Sequence, residues 1–343
     1  MKGLILSGGK GTRLRPFTYT GAKQLVPVAN KPVLFYAIED LVEAGIDEIG
    51  IVVGDTANQI RAAVGDGTRF KAKVTYIQQD APLGLAHGVK IAREYLQDER
   101  FVLFLGDNFI RDGIVAQVKA FRASAMNAQI ILCKVSNPQQ FGVAVMNGDN
   151  KVKQLVEKPQ DFVSDLALVG IYMFDHHVFN AIEQIRPSVR RGELEITDAI
   201  QQMMDMGFDV GHHLLNGHWI DTGKMDDMLD ANRLILETIE PRTEGCVDAN
   251  SRVIGRAIIE QGAQIVNSLV RGPAIIGANT RIDCLLYCAE IENSIVMEQS
   301  KIQNVSDRIS DSLIGRFVEV YQTPPQPKVL RLMLGDHSQV GVL

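Results

Sequence analysis

The sequence predicts an α/β fold, a mostly parallel sheet with helices on both faces, followed by a short parallel β-helix. Three observations point there. Apolar strand-like runs alternate with helical patterns through the first half of the 343 residues. A glycine-rich loop, Ser7-Gly8-Gly9-Lys10-Gly11-Thr12, follows the first of those runs directly. Beyond Pro241-Arg242 the helical period fades and branched apolar residues return about every sixth position: Val253, Ile259, Ile265, then Leu269 and Ile275.

Taken in order, Gly3-Leu4-Ile5-Leu6 reads as a buried strand. Strands follow at 48–54, 74–78 and 101–105, with helical patterns at 33–44, 58–64 and 85–96 between them. That alternation argues for a parallel sheet covered on both sides. Ligands of such sheets sit beyond the carboxyl ends of the strands. The glycine loop and Asp107, which follows Phe101-Val102-Leu103-Phe104-Leu105-Gly106, both fall at that edge. Hexad recurrence is the mark of a parallel β-helix, three hexads to a coil. Gln322-Thr323-Pro324-Pro325-Gln326-Pro327 interrupts it and reads as an exposed excursion. The expected organisation is residues 1–240 as one domain and 241–343 as the β-helix.

Composition excludes several classes. A net charge of −6 offers no global basic field for nucleic acid. No apolar run reaches the roughly 18 residues of a membrane span, and the N-terminus enters a strand without a signal-peptide pattern. Cys133, Cys246, Cys284 and Cys288 lack zinc spacing and read as reduced thiols, so a cytoplasmic location is expected. His176-His177 and His212-His213 have no acidic or cysteine partner at metal spacing.

Three glycines in four positions, flanked by a strand and by Arg13, Arg15 and Lys23, suit a polyphosphate. Without a Cβ, backbone N–H groups approach an anion closely. The P-loop pattern fails, because Gly11 follows Lys10. The dinucleotide fingerprint fails at Leu14, where a third glycine belongs. A carboxylate at a strand's end, as at Asp107 in Leu-Gly-Asp-Asn, can hold Mg²⁺ or simply start a turn. Asp221 in Trp219-Ile220-Asp221-Thr222-Gly223 is a second candidate ligand.

These segments together resemble the sugar-phosphate nucleotidylyltransferases, whose signature G-G-x-G-T-R-L reads here from Gly8 to Leu14. Lys23 and Leu25-Val26-Pro27-Val28-Ala29-Asn30-Lys31-Pro32 continue the match. Gln79 to Ala86 matches Q-x-x-P-x-G-L-A, Glu157-Lys158-Pro159 matches E-K-P, and Gly192-Glu193-Leu194-Glu195-Ile196-Thr197-Asp198 resembles the branch that makes dTDP-glucose. The resemblance spans nearly the whole chain and is strongest to long-form glucose-1-phosphate thymidylyltransferases. It implies a Rossmann-like fold of the nucleotide-diphospho-sugar transferase type and a left-handed β-helix. By the same resemblance, Arg13, Lys23, Lys158 and Asp107 are catalytic. Gly8, Gly9, Gly11, Thr12, Arg13, Gln79 and Gly84 would contact the nucleotide. Glu157, Lys158, Gly170 and Glu193 would contact the sugar phosphate, and Asp107 with Asp221 would chelate Mg²⁺. The implied substrates are dTTP (or UTP) and glucose 1-phosphate, handled by a homo-oligomer that binds neither nucleic acid nor membrane. His87 lies where shorter relatives carry glutamine and is assigned nothing. The rival readings are a UTP-using or broad-specificity enzyme, a bifunctional enzyme with an acyltransferase tail, and a non-catalytic sugar-nucleotide-binding regulator.

Overall fold

The computed structural model describes all residues except 10, 20, 239, 284–288, 306, 323–331 and 343. Most of the Pro-rich excursion, and Cys284 and Cys288, therefore lie outside the described residues. Two compact units make up the chain: Met1–Gly9 with Leu34–Asp221, and Lys10–Val33 with Thr222–Leu343.

The first unit is built on a nine-stranded sheet. Lys2–Ser7 lies inside it, paired in parallel with Glu48–Val53 on one side and Phe101–Leu105 on the other. Lys73–Gln78 adds in parallel beyond Glu48–Val53. Leu4, Ile5, Ile49, Ile51, Phe101 and Val102 are fully buried, as continuous apolar strands covered on both faces require. Successive side chains point to opposite faces. Leu4 and Leu6 join a core with residues of the helices Leu85–Ile91, His177–Gln184 and Ile196–Asp205. On the other face, Ile5 and Leu34 both approach Gly106. Leu34 belongs to the helix Val33–Glu43, which buries Leu34, Ala37, Ile38 and Leu41 at helical spacing. The helical pattern at 85–96 breaks at Ala92, whose ψ of 2° leaves helical geometry, so a second short helix, Arg93–Leu96, follows.

Beyond Phe101–Leu105 the pairing becomes antiparallel, except that Val210–Leu214 adds in parallel to Ala128–Lys134. Leu166–Phe174 runs against Phe101–Leu105 and against Ala128–Lys134, and Gly142–Met146 runs against Val152–Glu157. The link between the last two is too short for the dozen or so residues of a parallel crossover. Asn147 closes that link, its Oδ1 accepting the N–H groups of Asp149 and Lys151.

The second unit carries two ladders of parallel strands, one of eight strands and one of six, consistent with a left-handed β-helix. Ile291 pairs with Ile309 and Ile302 with Val320 one coil later. Ser312 likewise donates its N–H to Ser294 Oγ, 18 residues earlier, which is three hexads. Ile259 and Ile265 face the core as expected, but after them Val270 and Ile276 point inward in place of Leu269 and Ile275. The reason is a second apolar surface: Ile258 and Ile275 pack outward against Leu236 of the helix Met225–Leu236. Asn267, Asn279, Asn293 and Asn304 all adopt positive φ, a left-handed conformation that asparagine tolerates better than most residues.

Truncating Ile302, fully buried in the coil core, to alanine should cost about 2–5 kcal/mol. Urea melting of the variant should show it; an unchanged midpoint would mean the coils do not share a packed interior.

Candidate active site

Three chain segments leave the sheet at the same edge because their strands are parallel: Gly8-Gly9 after Lys2–Ser7, Gln79 after Lys73–Gln78, and Gly106-Asp107 after Phe101–Leu105. A Cβ at Gly8 would stand 2.9 Å from Gln79 Oε1, so glycine lets the loop and the amide lie side by side. Gln79 Nε2 lies 3.0 Å from His87 Nδ1 and 3.4 Å from the Gly84 carbonyl. Burial holds the His87 imidazole below its ordinary pKa, with Lys90 acting the same way. A neutral ring can accept the Gln79 amide at Nδ1 and so orient it. His87 thus has a structural partner that sequence alone did not reveal. Gly84, at φ 105°, passes so close to Leu194 that a Cβ would stand 2.4 Å from its carbonyl oxygen. Leu194 donates to the Leu83 carbonyl and accepts from the Ala86 N–H, which fastens this loop to the Glu193–Asp198 segment.

A two-stranded ladder brings Asp221 to the chain neighbour of Asp107. Trp219–Asp221 pairs antiparallel with Asn108–Ile110, placing Asp221 directly opposite Asn108, the neighbour of Asp107. Trp219 Nε1 donates to Asn108 Oδ1 at 2.6 Å, and Asn108 Nδ2 donates to Asp107 Oδ1 at 3.3 Å. Asp107 is 9% exposed. Both candidate ligands are carboxylates, a donor set that suits a hard divalent cation and not a soft one. Gly170 leaves room for this arrangement, since a Cβ there would stand 2.7 Å from Asn108 Oδ1.

A cavity of about 470 Å³ is lined by Gln154, Glu157, Lys158, Ser188, Arg191 and Asp198, among others, within the size range of small-molecule sites. Glu157 sits opposite Gly142, where a Cβ would stand 2.9 Å from Glu157 Oε2, and Thr197 Oγ1 donates to the same oxygen at 3.1 Å. Lys158 adopts φ 44°, a strained value for a side chain of its kind. Its N–H donates to the Phe141 carbonyl, and the Phe141 ring meets Trp219 edge-on at 5.1 Å, so the lysine turn is tied to the aspartate ladder. Arg191 binds three carboxylates at once: Glu193 at 2.7 Å, Glu195 at 3.1 Å and Glu157 at 3.3 Å. Sequence reasoning passed over Arg191, although its place just before the Gly192–Asp198 string was a usable signal. The helix Ile196–Asp205 begins here, with Thr197 and Asp198 in its first turn. Glu195 holds the N-cap position, with no side-chain cap hydrogen bond.

The expected triphosphate residues Gly11, Thr12, Arg13 and Lys23 belong to the second unit. Gly11, at φ 61°, has no space for a Cβ, which would stand 2.8 Å from Lys23 Cβ, so the loop folds back onto the lysine. Thr12–Leu14 and Lys23–Leu25 are single 3-10 turns, the first anchored by buried Leu14. Asp227, in the helix Met225–Leu236, feels both Lys224 and Arg13.

One histidine expectation is corrected. Asp175 Oδ2 lies 3.0 Å from His177 Nδ1, so that pair does have an acidic neighbour. Asp175 also accepts from the His177 N–H and from Asn127 Nδ2, and these bonds assign it to the helix start.

Burial raises the Glu157 carboxyl above its ordinary 4.5, against the lowering pull of Lys158. Between those two values the folded state binds more protons than the unfolded one, so Glu157 makes stability fall as pH rises. The stability of Glu157→Gln relative to the unsubstituted chain should therefore grow as pH increases from 4.5. Urea melts across the acidic range test this; a pH-independent difference contradicts the burial argument.

The nucleotidyl transferase family model matches residues 2–238. A glucose-1-phosphate thymidylyltransferase of Streptomyces griseus is 50% identical, covering 100% of this chain and 99% of the relative. A bifunctional protein GlmU of Methanococcus maripaludis is 35% identical over 92% of this chain and 77% of its own length. Among solved structures, one described as a glucose-1-phosphate thymidylyltransferase from Bacillus anthracis in complex with a sucrose superposes with a TM-score of 0.64. It is 34% identical and covers 68% of this chain and 94% of its own. On the family-model match over residues 2–238 and the similarity over the full length, the chain belongs to the nucleotidyl transferase family.

Proposed function

We propose that this protein transfers the nucleotidyl group of dTTP to α-D-glucose 1-phosphate, releasing pyrophosphate and forming dTDP-glucose. The observation that carries the reading is the Asp221–Asn108 pairing beside Asp107. The full-length likeness to the Streptomyces griseus relative supports the choice of substrates.

In this reading an oxygen of the sugar phosphate attacks the α-phosphorus in line. A new P–O bond forms as the bond to the β-phosphate bridge breaks. A phosphate monoester has a second pKa of about 6, so the nucleophile is already ionised at neutral pH and no general base is required. Catalysis then rests on positioning and charge. Asp107 and Asp221 would hold Mg²⁺, which supplies charge neutralisation at the α-phosphate. Lys158 holds the acceptor phosphate and Lys23 faces the α-phosphate. Arg13, with the amides of Gly8, Gly9, Gly11 and Thr12, neutralises the departing pyrophosphate. Glu157, Glu193 and the Gly170 backbone receive the sugar, and Gln79 with Gly84 receives the base. We assign catalysis to residues 1–240 and the β-helix to 241–343, in a homo-oligomer.

Thymine and uracil share the edge that Gln79 can read and differ by a methyl group. Such a group is worth roughly 1–3 kcal/mol of discrimination, so UTP should also be turned over, more slowly. A panel of dTTP, UTP, CTP and GTP against several sugar 1-phosphates measures this through pyrophosphate release. Release that does not depend on a sugar 1-phosphate contradicts the reading.

Asp107→Asn removes one anionic ligand with little change in shape. Turnover should fall beyond the roughly 10–100-fold that outer partners of a metal site cost, with the melting temperature nearly unchanged. Near-normal turnover at saturating Mg²⁺ would remove Asp107 from the metal site.

A further inference from the structure

Gly11, Thr12, Arg13 and Lys23, assigned above to the triphosphate, belong to one compact unit with the tail. Its hairpin, Pro27–Val28 against Lys31–Pro32, turns through Ala29 and Asn30, both at positive φ (48° and 60°). Two-residue hairpin turns of that kind prefer Asn-Gly or Gly-Gly. An alanine there is strained, and such strain persists only where the surroundings enforce it.

Two features enforce it. Asn232, 1% exposed in the helix Met225–Leu236, accepts the Ala29 N–H at Oδ1 over 3.1 Å. Ala29 also packs against Leu236 of that helix and against Ile258 and Ile275 of the β-helix. Farther along the tail, Gly335 lies against Pro16, three residues after Arg13. A Cβ at Gly335 would stand 3.1 Å from the Pro16 carbonyl oxygen and 3.3 Å from its carbon. The backbone on both sides of Lys23 is thus braced by residues far away in sequence, at the hairpin and at Pro16.

We propose that Asn232 and Gly335 are positioning residues for the triphosphate-binding segment, and that the β-helix serves the reaction as the platform on which this segment is set. The inference rests on the functional reading above. It assigns the tail a role in nucleotide handling without a ligand of its own. A shift of about 1 Å in the segment is enough to cost on the order of 100-fold in rate.

The experiment measures initial rates with dTTP varied at saturating glucose 1-phosphate, and the reverse, for Asn232→Ala, Asn232→Asp, Gly335→Ala and Gly335→Val. Asn232→Ala should raise the KM for dTTP or lower kcat by roughly 10-fold or more while leaving the KM for glucose 1-phosphate near its original value. Asn232→Asp keeps an acceptor oxygen and should recover most of the loss. Gly335→Val should act in the same direction as Asn232→Ala, and more strongly than Gly335→Ala, so the test survives if Asn232→Ala does not fold. Gly341→Ala is the control, because a Cβ there meets only ordinary contacts, the nearest at 3.7 Å from Tyr321. Equal shifts in both KM values, or a lowered melting temperature with unchanged kinetics, overturns the proposal. If the unsubstituted chain releases no pyrophosphate from dTTP, both the functional reading and this inference fall.

Discussion

The candidate site depends first on one short ladder. Three residues, Trp219–Asp221, pair with Asn108–Ile110 across more than a hundred positions of sequence. Closing a loop of that length costs conformational entropy that a few backbone hydrogen bonds do not recover alone. The ladder is reinforced by the Trp219 indole on Asn108 and by the edge contact of Phe141 with Trp219. It sets Asp221 opposite Asn108, the chain neighbour of Asp107, and carboxylates held near each other repel unless a cation or hydrogen-bond donors intervene. Asn108 supplies one such donor.

Around that ladder, small residues do as much as charged ones. Gly8, Gly84, Gly142 and Gly170 each stand where a Cβ would strike a candidate functional side chain or the backbone that carries it. The glycines set distances, while the charges set chemistry. Arg191 shows the other half of the principle. Its guanidinium faces Glu157, Glu193 and Glu195 together, and its planar fork of donors suits that task better than a lysine would. The same cation lines the cavity that also holds Lys158.

Much of the fold was legible in the sequence, for a physical reason. Buried parallel strands are continuous apolar runs, so 48–54, 74–78 and 101–105 stood out, and each became a strand within a residue of expectation. The antiparallel half of the sheet was less legible, because pairing partners are set by connection length and tertiary contact. The hexad rhythm announced the β-helix but slipped by one at Val270, since Ile275 serves an outer apolar surface. At the candidate site, motif residues such as Asp107 and Glu157 were named from sequence. His87 and Arg191 were not, because their significance lies in partners, Gln79 and three glutamates, that only the folded chain supplies.

The central claim is that Asp107 and Asp221 act as one unit. A double-mutant cycle on turnover, with Asp107→Asn, Asp221→Asn and both together at saturating Mg²⁺, tests it most directly. Residues that act as a unit are grossly non-additive, so the double variant should be little slower than the worse single variant. Losses that multiply independently would contradict a shared site.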